Sequence, residues 1–538
     1  MATAPQTGSS APSAPNVTDA QRRIVLGVLI GSAFVVILNE TLMGVAIPRF
    51  IAVFGITATA AQWLTTAFML TLAVVIPITG WLLQRFSTRA LFVTAMSLFT
   101  AGTLLGAVAP WFELLIVARV IQASGTAIVM PMLFTTVFAL VAPQRRGQVI
   151  GTVSTVIAVA PALGPSLSGF ILSIADWHWL FITMLPLTTT ALIIGAVRMV
   201  DVGERRGTRL DVLSIVLSVP GFGGLVFGLA QLGEGGRAEA GSGPDPVVTG
   251  TVALAVGIVA LVIFVLRQLR LQRTDSALLD LRTFAERQFA LSIGIITVAS
   301  MALFGAIIVI PLYVQEVLGA SPLVSGLIIL PGALLQGLLA PIIGRRYDKV
   351  GPRSLVIPGI ALMASTLWVM SMFSATTPIW FVAVANIGVS LGLALLFTPL
   401  LTNGLASLRP QLNPYGSAIV GTVQQVAGAA GIALFISVAA FISPPSGDAS
   451  ITADGVRAAF TVAAGLATAI VPLVLFVRWQ RPDQPVAPTA DTGSTRVVES
   501  GSTKAADLAA VRQVDGYLNR WFLDPLFGRH YQIGRAHV

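Results

Sequence analysis

The chain contains no cysteine and only three histidines, His178, His530 and His537. Disulfides, thiolate metal centres and cysteine nucleophiles are therefore excluded, and a histidine-rich metal site is short of ligands. Charge is scarce too. Asp, Glu, Lys and Arg make up 10% of the 538 residues, while 55% are hydrophobic; a soluble domain carries about 25% charged residues. There is no phosphate-cradling glycine loop, no metal-ligand cluster and no hydrolase triad. The net charge of +9 would suit nucleic acid if it formed a patch. The basic residues instead lie scattered between long apolar runs, which points to membrane topology and away from a nucleic-acid partner.

What is abundant is hydrophobic length. A helix crossing a bilayer needs roughly 20 apolar residues. That rule predicts fourteen spans: 24–47, 60–83, 89–109, 113–140, 148–174, 178–199, 210–232, 247–267, 288–315, 321–344, 354–374, 378–404, 415–442 and 455–478. Arginines collect on alternate loops, from Arg22/Arg23, Arg85/Arg89 and Arg145/Arg146 onward, and the other side holds only Arg49, Arg237 and Arg457. This bias predicts cytoplasmic termini and an even number of spans in the inner membrane. Residues 1–21, rich in Ala, Pro and Ser, read as a disordered cytoplasmic tail without a cleavable signal.

The stretch GWLLQRFSTR from Gly80 to Arg89 is matched by GRRYDKVGPR from Gly344 to Arg353. Each follows a span, opens on Gly, carries a basic residue five positions on (Arg85, Lys349) and an Arg nine on. Such a repeat implies two related halves joined by similar tight turns. The expected units are a tail (1–21), a six-helix bundle (22–207), two extra helices (208–270), a second six-helix bundle (271–481) and a disordered tail (482–538).

Ionisable residues inside a span are functional hypotheses by default. Glu40 lies about sixteen residues into the first span, roughly 24 Å deep, and Arg119 about six residues into the fourth from the other side, roughly 9 Å. They should share one depth. Burial favours a neutral carboxyl and a nearby guanidinium opposes it, so the pair can tie proton occupancy to conformation. A static ion pair or a hydrated outer Glu40 is the alternative. Gln424 and Gln425 fall near the midplane, where transporter substrates bind, as weaker candidates do at Gln122 and Asn386; helix–helix hydrogen bonds are the alternative. The fifth span has Ala160, Gly164 and Ser168 at four-residue spacing, a small face for close helix approach, with Pro161 and Pro165 to bend it.

Taken in order, these motifs resemble the major facilitator superfamily, specifically its fourteen-span drug:H⁺ antiporters of the EmrB/QacA type, over about residues 24–480. The family's fifth-helix antiporter motif Gly-x8-Gly-x3-Gly-Pro-x2-Gly-Gly is matched by Gly151, Gly164, Pro165 and Gly169, with Ala160 and Ser168 replacing glycines. RVIQASG from Arg119 resembles Arg-x-x-Gln-Gly-x-Gly, LNETLMGVAIP from Leu38 resembles Leu-Asp-x-Thr…Ala-Leu-Pro, and WHWLFITMLP from Trp177 resembles Trp-Arg-Trp-x-Phe-x-x-Asn-x-Pro. The first-helix Asp of the family is Asn39 here, with the acid displaced to Glu40. In the first turn, Gln84 and Ser87 stand for the family's Asp and Gly, which the second copy keeps as Asp348 and Gly351.

The resemblance implies an all-α membrane protein of two six-helix bundles plus two inserted helices. It also implies export of small lipophilic compounds against protons, by a monomer in the lipid bilayer using no cofactor or metal. Glu40 and Arg119 would couple protons, and Gly80, Arg85, Arg89, Gly344, Asp348, Gly351 and Arg353 would form gating loops. Export or import of one metabolite is the alternative. The sequence VDGYLNRWFLDPLFG near the C-terminus resembles a fragment of family 1 glycoside hydrolases. About 25 residues cannot form a (β/α)8 barrel of roughly 250, and neither glutamate motif of that family occurs, so residues 502–538 are expected to be a fusion or assembly artefact. A membrane-tethered glycosidase is the remote alternative.

Overall fold

A computed structural model describes residues 18–202, 211–234, 245–274, 276–443 and 451–479. The tail from 480 onward, the loop that ends the first predicted unit and the outer loop with Arg237 lie outside the described residues. Fourteen helices are long and apolar enough to cross a membrane. They are α1 (Asp19–Phe54), α2 (Ala58–Arg85), α3 (Thr88–Ala107), α4 (Phe112–Leu140) and α5 (Arg146–Ile174). Next come α6 (His178–Arg198), α7 (Val212–Leu232), α8 (Pro246–Leu271), α9 (Arg287–Val317) and α10 (Pro322–Val350). The last are α11 (Arg353–Met370), α12 (Ile379–Ala406), α13 (Asn413–Ile442) and α14 (Ala453–Val474). No strand occurs among the described residues.

Several boundaries differ from the sequence expectation: α1, α2, α8 and α10 run longer, whereas α3, α11 and α14 stop two to four residues short, at Ala107, Met370 and Val474. The expected tail 1–21 gives way to helix at Asp19, because Thr18 and Gln21 form a reciprocal capping box that satisfies two otherwise orphaned amides. The stretches from Gly80 and Gly344 are not turns throughout. Gly80 to Arg85 completes α2 and Gly344 to Val350 completes α10, leaving two-residue turns. These helix ends project past the apolar core, where charge is cheap and hydropathy no longer marks the helix.

The halves repeat one packing plan. In the first, α4 packs on α1, α2 and α3, and α1 on α5; in the second, α12 packs on α9, α10 and α11, and α9 on α13. The halves meet along two seams, α5 against α10 and α2 against α13. The extra pair α7–α8 forms a tight hairpin. A Cβ on Gly257 would stand 2.7 Å from the Leu225 amide, so only glycine permits that approach. Within α7, Val219–Gly223 is a π-helical turn opened by Pro220. The hairpin straddles the second seam. Phe227 stacks on Trp63 of α2 at 5.7 Å, and the Leu232 carbonyl accepts a hydrogen bond from Ser437 of α13.

Candidate functional site

Arg119 is fully buried in the first half. Its Nη1 donates to Asn39 Oδ1 at 3.2 Å and to Gln122 Oε1 at 3.1 Å. Its guanidinium lies 4.1 Å from the centre of the Phe68 ring. Gln122 Nε2 donates onward to Thr103 Oγ1 at 2.9 Å, and Thr103 to the Phe99 carbonyl at 2.7 Å. The cation thereby ties α1, α2, α3 and α4 together. Charged hydrogen bonds of about 1.5–3 kcal/mol each and a desolvated cation–π contact of about 2 kcal/mol offset its removal from water.

The expected depth match between α1 and α4 is met, yet Arg119 takes Asn39. No ion pair joins Glu40 to it within 4.0 Å. One residue is about 100° of helix rotation. Asn39 faces α4, and Thr41 faces α5, where it sits against Gly164. Glu40 lies on the arc between them, half-buried, with no hydrogen-bond or ion-pair partner among the described residues. Gly44, one turn on, is exposed with nothing within 4 Å of its Cβ position. The carboxylate therefore lies on a partly exposed stretch of α1.

The polar candidates divide in two. Gln122 is fully buried in the Arg119 network, and Asn386 is buried with Nδ2 donating to the Ile328 and Ile329 carbonyls of α10 at 3.3 and 3.4 Å. Both serve helix packing in this conformation and neither lines an open space. Gln424 and Gln425 are half-buried without a hydrogen bond to any described residue. They lie one turn above Gly421, which packs on Ile76 of α2, so both flank the face of α13 that looks toward the first half.

The seam of α5 has two partners. Toward the arginine-rich end it meets α10: a Cβ on Gly344 would stand 1.9 Å from the Gly147 carbonyl, and one on Gly151 2.3 Å from the Ala340 carbonyl. Asp348 spans this contact, its carboxylate accepting from the Gly147 and Gln148 amides at 2.8 and 2.9 Å. Those amides open α5, where the helix dipole favours negative charge. Thr155 donates to the Gly337 carbonyl at 2.6 Å, and Thr398 of α12 to Ser154 at 2.9 Å. Farther along, Ala160, Gly164 and Ser168 are buried, and a Cβ on Gly164 would stand 2.1 Å from Thr41 Oγ1 of α1. Pro161 and Pro165 lie inside the helix; Pro165 and Gly169 are exposed, and Gly169 has open space around it.

The second seam is closed at the same end. Gly80 packs on Tyr415, Gln84 Nε2 donates to the Gln411 carbonyl at 3.1 Å, and Tyr415 Oη donates to Gln84 Oε1 at 3.3 Å. Arg85 and Arg89 are exposed. Gly351 caps α10 at φ 78°, a backbone setting that favours glycine, and sits against Trp479; Arg353 donates to the Leu475 carbonyl. The hydrogen bonds joining the halves thus gather at the arginine-rich end. Beyond Val159 and Gly337, the close contacts of α5 are with α1 and those of α10 with α12.

Two pseudo-repeated helical halves, closed at one end around a polar first-half core, define a multi-pass membrane transporter rather than an enzyme. The Major Facilitator Superfamily model matches residues 29–432, and the chain belongs to that family. It is 38% identical over 468 residues to the uncharacterized MFS-type transporter YcnB of Bacillus subtilis (strain 168), covering 86% of this chain and 96% of that one. It is 36% identical over 412 residues to the lincomycin resistance protein LmrB of the same organism, covering 77% and 84%. The solved structure of the human organic anion transporter MFSD10 (TETRAN) matches with TM-score 0.59 at 14% identity, over 84% of this chain and 99% of that one; this likeness concerns the fold. These relationships make the protein a multi-pass cell-membrane transporter.

Of the functional residues, sequence reasoning missed Phe68 and Thr103 as parts of the arginine site and the Gly147 and Gln148 amides as the seat of Asp348. Asn39 was visible as a departure from the family motif. Nothing in the sequence signals Phe68.

Proposed function

We propose that the protein exports small lipophilic drugs in exchange for protons, by alternating access, as a monomer in the lipid bilayer with no cofactor. The observation that carries this is Glu40: a half-buried carboxylate deep along α1, one turn from the exposed Gly44, without a hydrogen-bond or ion-pair partner among the described residues and near the buried charge of Arg119. Such a group can bind and release a proton without dismantling an ion pair. The arginine bias supports the closed end as cytoplasmic, which makes this an outward-facing conformation. Glu40 then takes a proton from outside and gives it up once the seams reverse. Gln424 and Gln425 offer hydrogen bonds to a bound substrate. The name of the LmrB relative supports a drug as cargo. A proton moving through 100 mV supplies about 2.3 kcal/mol, enough to hold a roughly 50-fold gradient of a neutral solute.

The test is uptake of a fluorescent drug by everted vesicles under an imposed pH gradient. Glu40→Gln should abolish gradient-driven accumulation while leaving expression and thermal stability intact. Full accumulation by this variant would remove Glu40 from the mechanism.

A further inference from the structure

The groups holding Arg119 are uncharged: Asn39 Oδ1 on α1, Gln122 Oε1 on α4, and the Leu64 carbonyl and Phe68 ring on α2. We infer that Asn39 is a positioning residue, which anchors the Arg119 guanidinium through a neutral acceptor and so keeps it off Glu40, leaving that carboxylate to the partly exposed stretch of α1. This goes beyond the proposed function and rests on it only in treating Glu40 as the proton carrier.

The geometry is specific. Asn39 is fully buried; its Oδ1 accepts from Arg119 Nη1 at 3.2 Å, and its Nδ2 has no partner. Reversing the amide would turn its N–H groups against the guanidinium, so the orientation is fixed by charge. A buried donor without a partner is a standing cost. An aspartate would bind Arg119 more strongly and leave no orphan donor. What the amide provides instead is an acceptor whose charge does not change with pH. Arg119 then stays in place whether Glu40 is protonated or not. A carboxylate at position 39 would pair with the arginine and cancel the positive potential reaching Glu40. A side chain with no acceptor would remove the competing contact on α1 and let the guanidinium, still held by Gln122 and Phe68, shift toward Glu40.

Few other charges bear on Glu40. The helices packed against α1 are α2, α4, α5 and α6. Apart from Arg119, their charged or titratable residues stand at or near helix ends: Arg85 on α2, Glu113 on α4, Arg146 on α5, His178 and Arg198 on α6. On α1 itself, Arg49 is nine residues away and Asp19, Arg22 and Arg23 lie at the opposite end. Arg119 is thus the one mid-helix charge on these neighbours, and Asn39 is its hydrogen-bond partner on α1, the helix that carries Glu40.

The experiment needs no transport. Dicyclohexylcarbodiimide modifies protonated carboxyl groups in apolar surroundings, and peptide mass spectrometry reads modification of Glu40 against pH in purified protein. Asn39→Asp should move the pH of half-modification at Glu40 up by about one unit, and Asn39→Leu should move it down by about one unit. Asn39→Ala, which also lacks an acceptor, serves if the leucine variant does not stay monodisperse, with the same downward direction expected. Opposite shifts from one position are not the signature of a packing defect, which would alter the extent of modification alike in each variant. Unmoved midpoints, or midpoints moved in one direction by both kinds of variant, would overturn the inference. Because labelling is independent of transport, normal efflux by Glu40→Gln would sink the proposed function without touching this result.

Discussion

Asp348→Asn tests the closed seam most directly. The native carboxylate accepts two backbone hydrogen bonds at the start of α5, at 2.8 and 2.9 Å. Hydrogen bonds to a charged group are worth about 1.5–3 kcal/mol each, and a charge at a helix N-terminus adds about 0.3–1 kcal/mol. Asp348 is half-buried, so screening argues for the low end of these ranges. Asparagine keeps one acceptor and loses the charge and the second bond, a net loss of about 2 kcal/mol. If that energy is present only while α5 and α10 are together, the closed-to-open ratio falls about 30-fold. The absence of cysteine gives a clean assay. Thr398, fully buried at the seam, is replaced by cysteine, and maleimide modification is timed in vesicles exposing the arginine-rich side. Asp348→Asn in that background should speed modification at least tenfold. A rate within twofold of the parent would refute the idea that this carboxylate holds the seam.

Other predictions follow from local geometry. Gly164→Ala places a methyl group 2.1 Å from Thr41 Oγ1 and 2.8 Å from its Cβ and should destabilise the purified protein by about 1–3 kcal/mol; Thr41→Ala removes the nearer contact and should relieve part of the loss, and no rescue at all would mean the Oγ1 clash is not its main cause. Gly169→Ala, with open space around it, should change stability by no more than about 0.5 kcal/mol, although both positions belong to one motif. Asp211, just before α7, is held below the usual carboxylate range by the Arg267 guanidinium, with two contacts of 2.7 Å, and by the Ser214 hydroxyl. A depressed folded pKa contributes stability above the ordinary value near 3.9 and loses it as pH falls through the lower folded value. Asp211→Asn should therefore lower the melting temperature at pH 7, with the gap to the parent narrowing as pH falls below the ordinary carboxylate value near 3.9. A gap that persists unchanged there would exclude the ion pair as its source.

All fourteen spans were legible because bilayer thickness imposes a length that hydropathy reports directly. Rotation about each helix was not. Helices apolar on every side carry no stripe to say which way a polar residue faces. The sequence therefore placed Glu40 and Arg119 at one depth but could not tell that Asn39 takes the contact. The same gap explains Gln122 and Asn386: an amide inside a span signals a hydrogen bond without saying whether a neighbouring helix or a solute receives it. Helix ends were misjudged where charge begins. The capping box at Thr18 and Gln21 was readable and would have corrected the start of α1; the extension of α10 to Val350, with Asp348 in its last turn, was hidden by four charged residues in succession around one tyrosine.

The departures from repeat symmetry fall together in space. The first copy of the repeated stretch has Gln84 where the second has Asp348, and each reaches across a seam to the start of a helix in the other half. The neutral contact is the weaker of the two on chemical grounds, but its seam is braced by other parts. Tyr415 donates both to Gln84 and, at 3.4 Å, to the carbonyl of Ala277 in the segment following the inserted hairpin. That segment is itself held by Gln268, whose Oε1 accepts from the Leu278 and Leu279 amides. At the other end of the same seam, α7 lies against both α2 and α13. Opening α2 from α13 thus requires changes in contacts with the hairpin and its linker, whereas parting α5 from α10 breaks contacts between the two halves alone. The inserted hairpin and the segment after it thus add packing and hydrogen bonds to their backbone carbonyls at the seam that lacks a carboxylate.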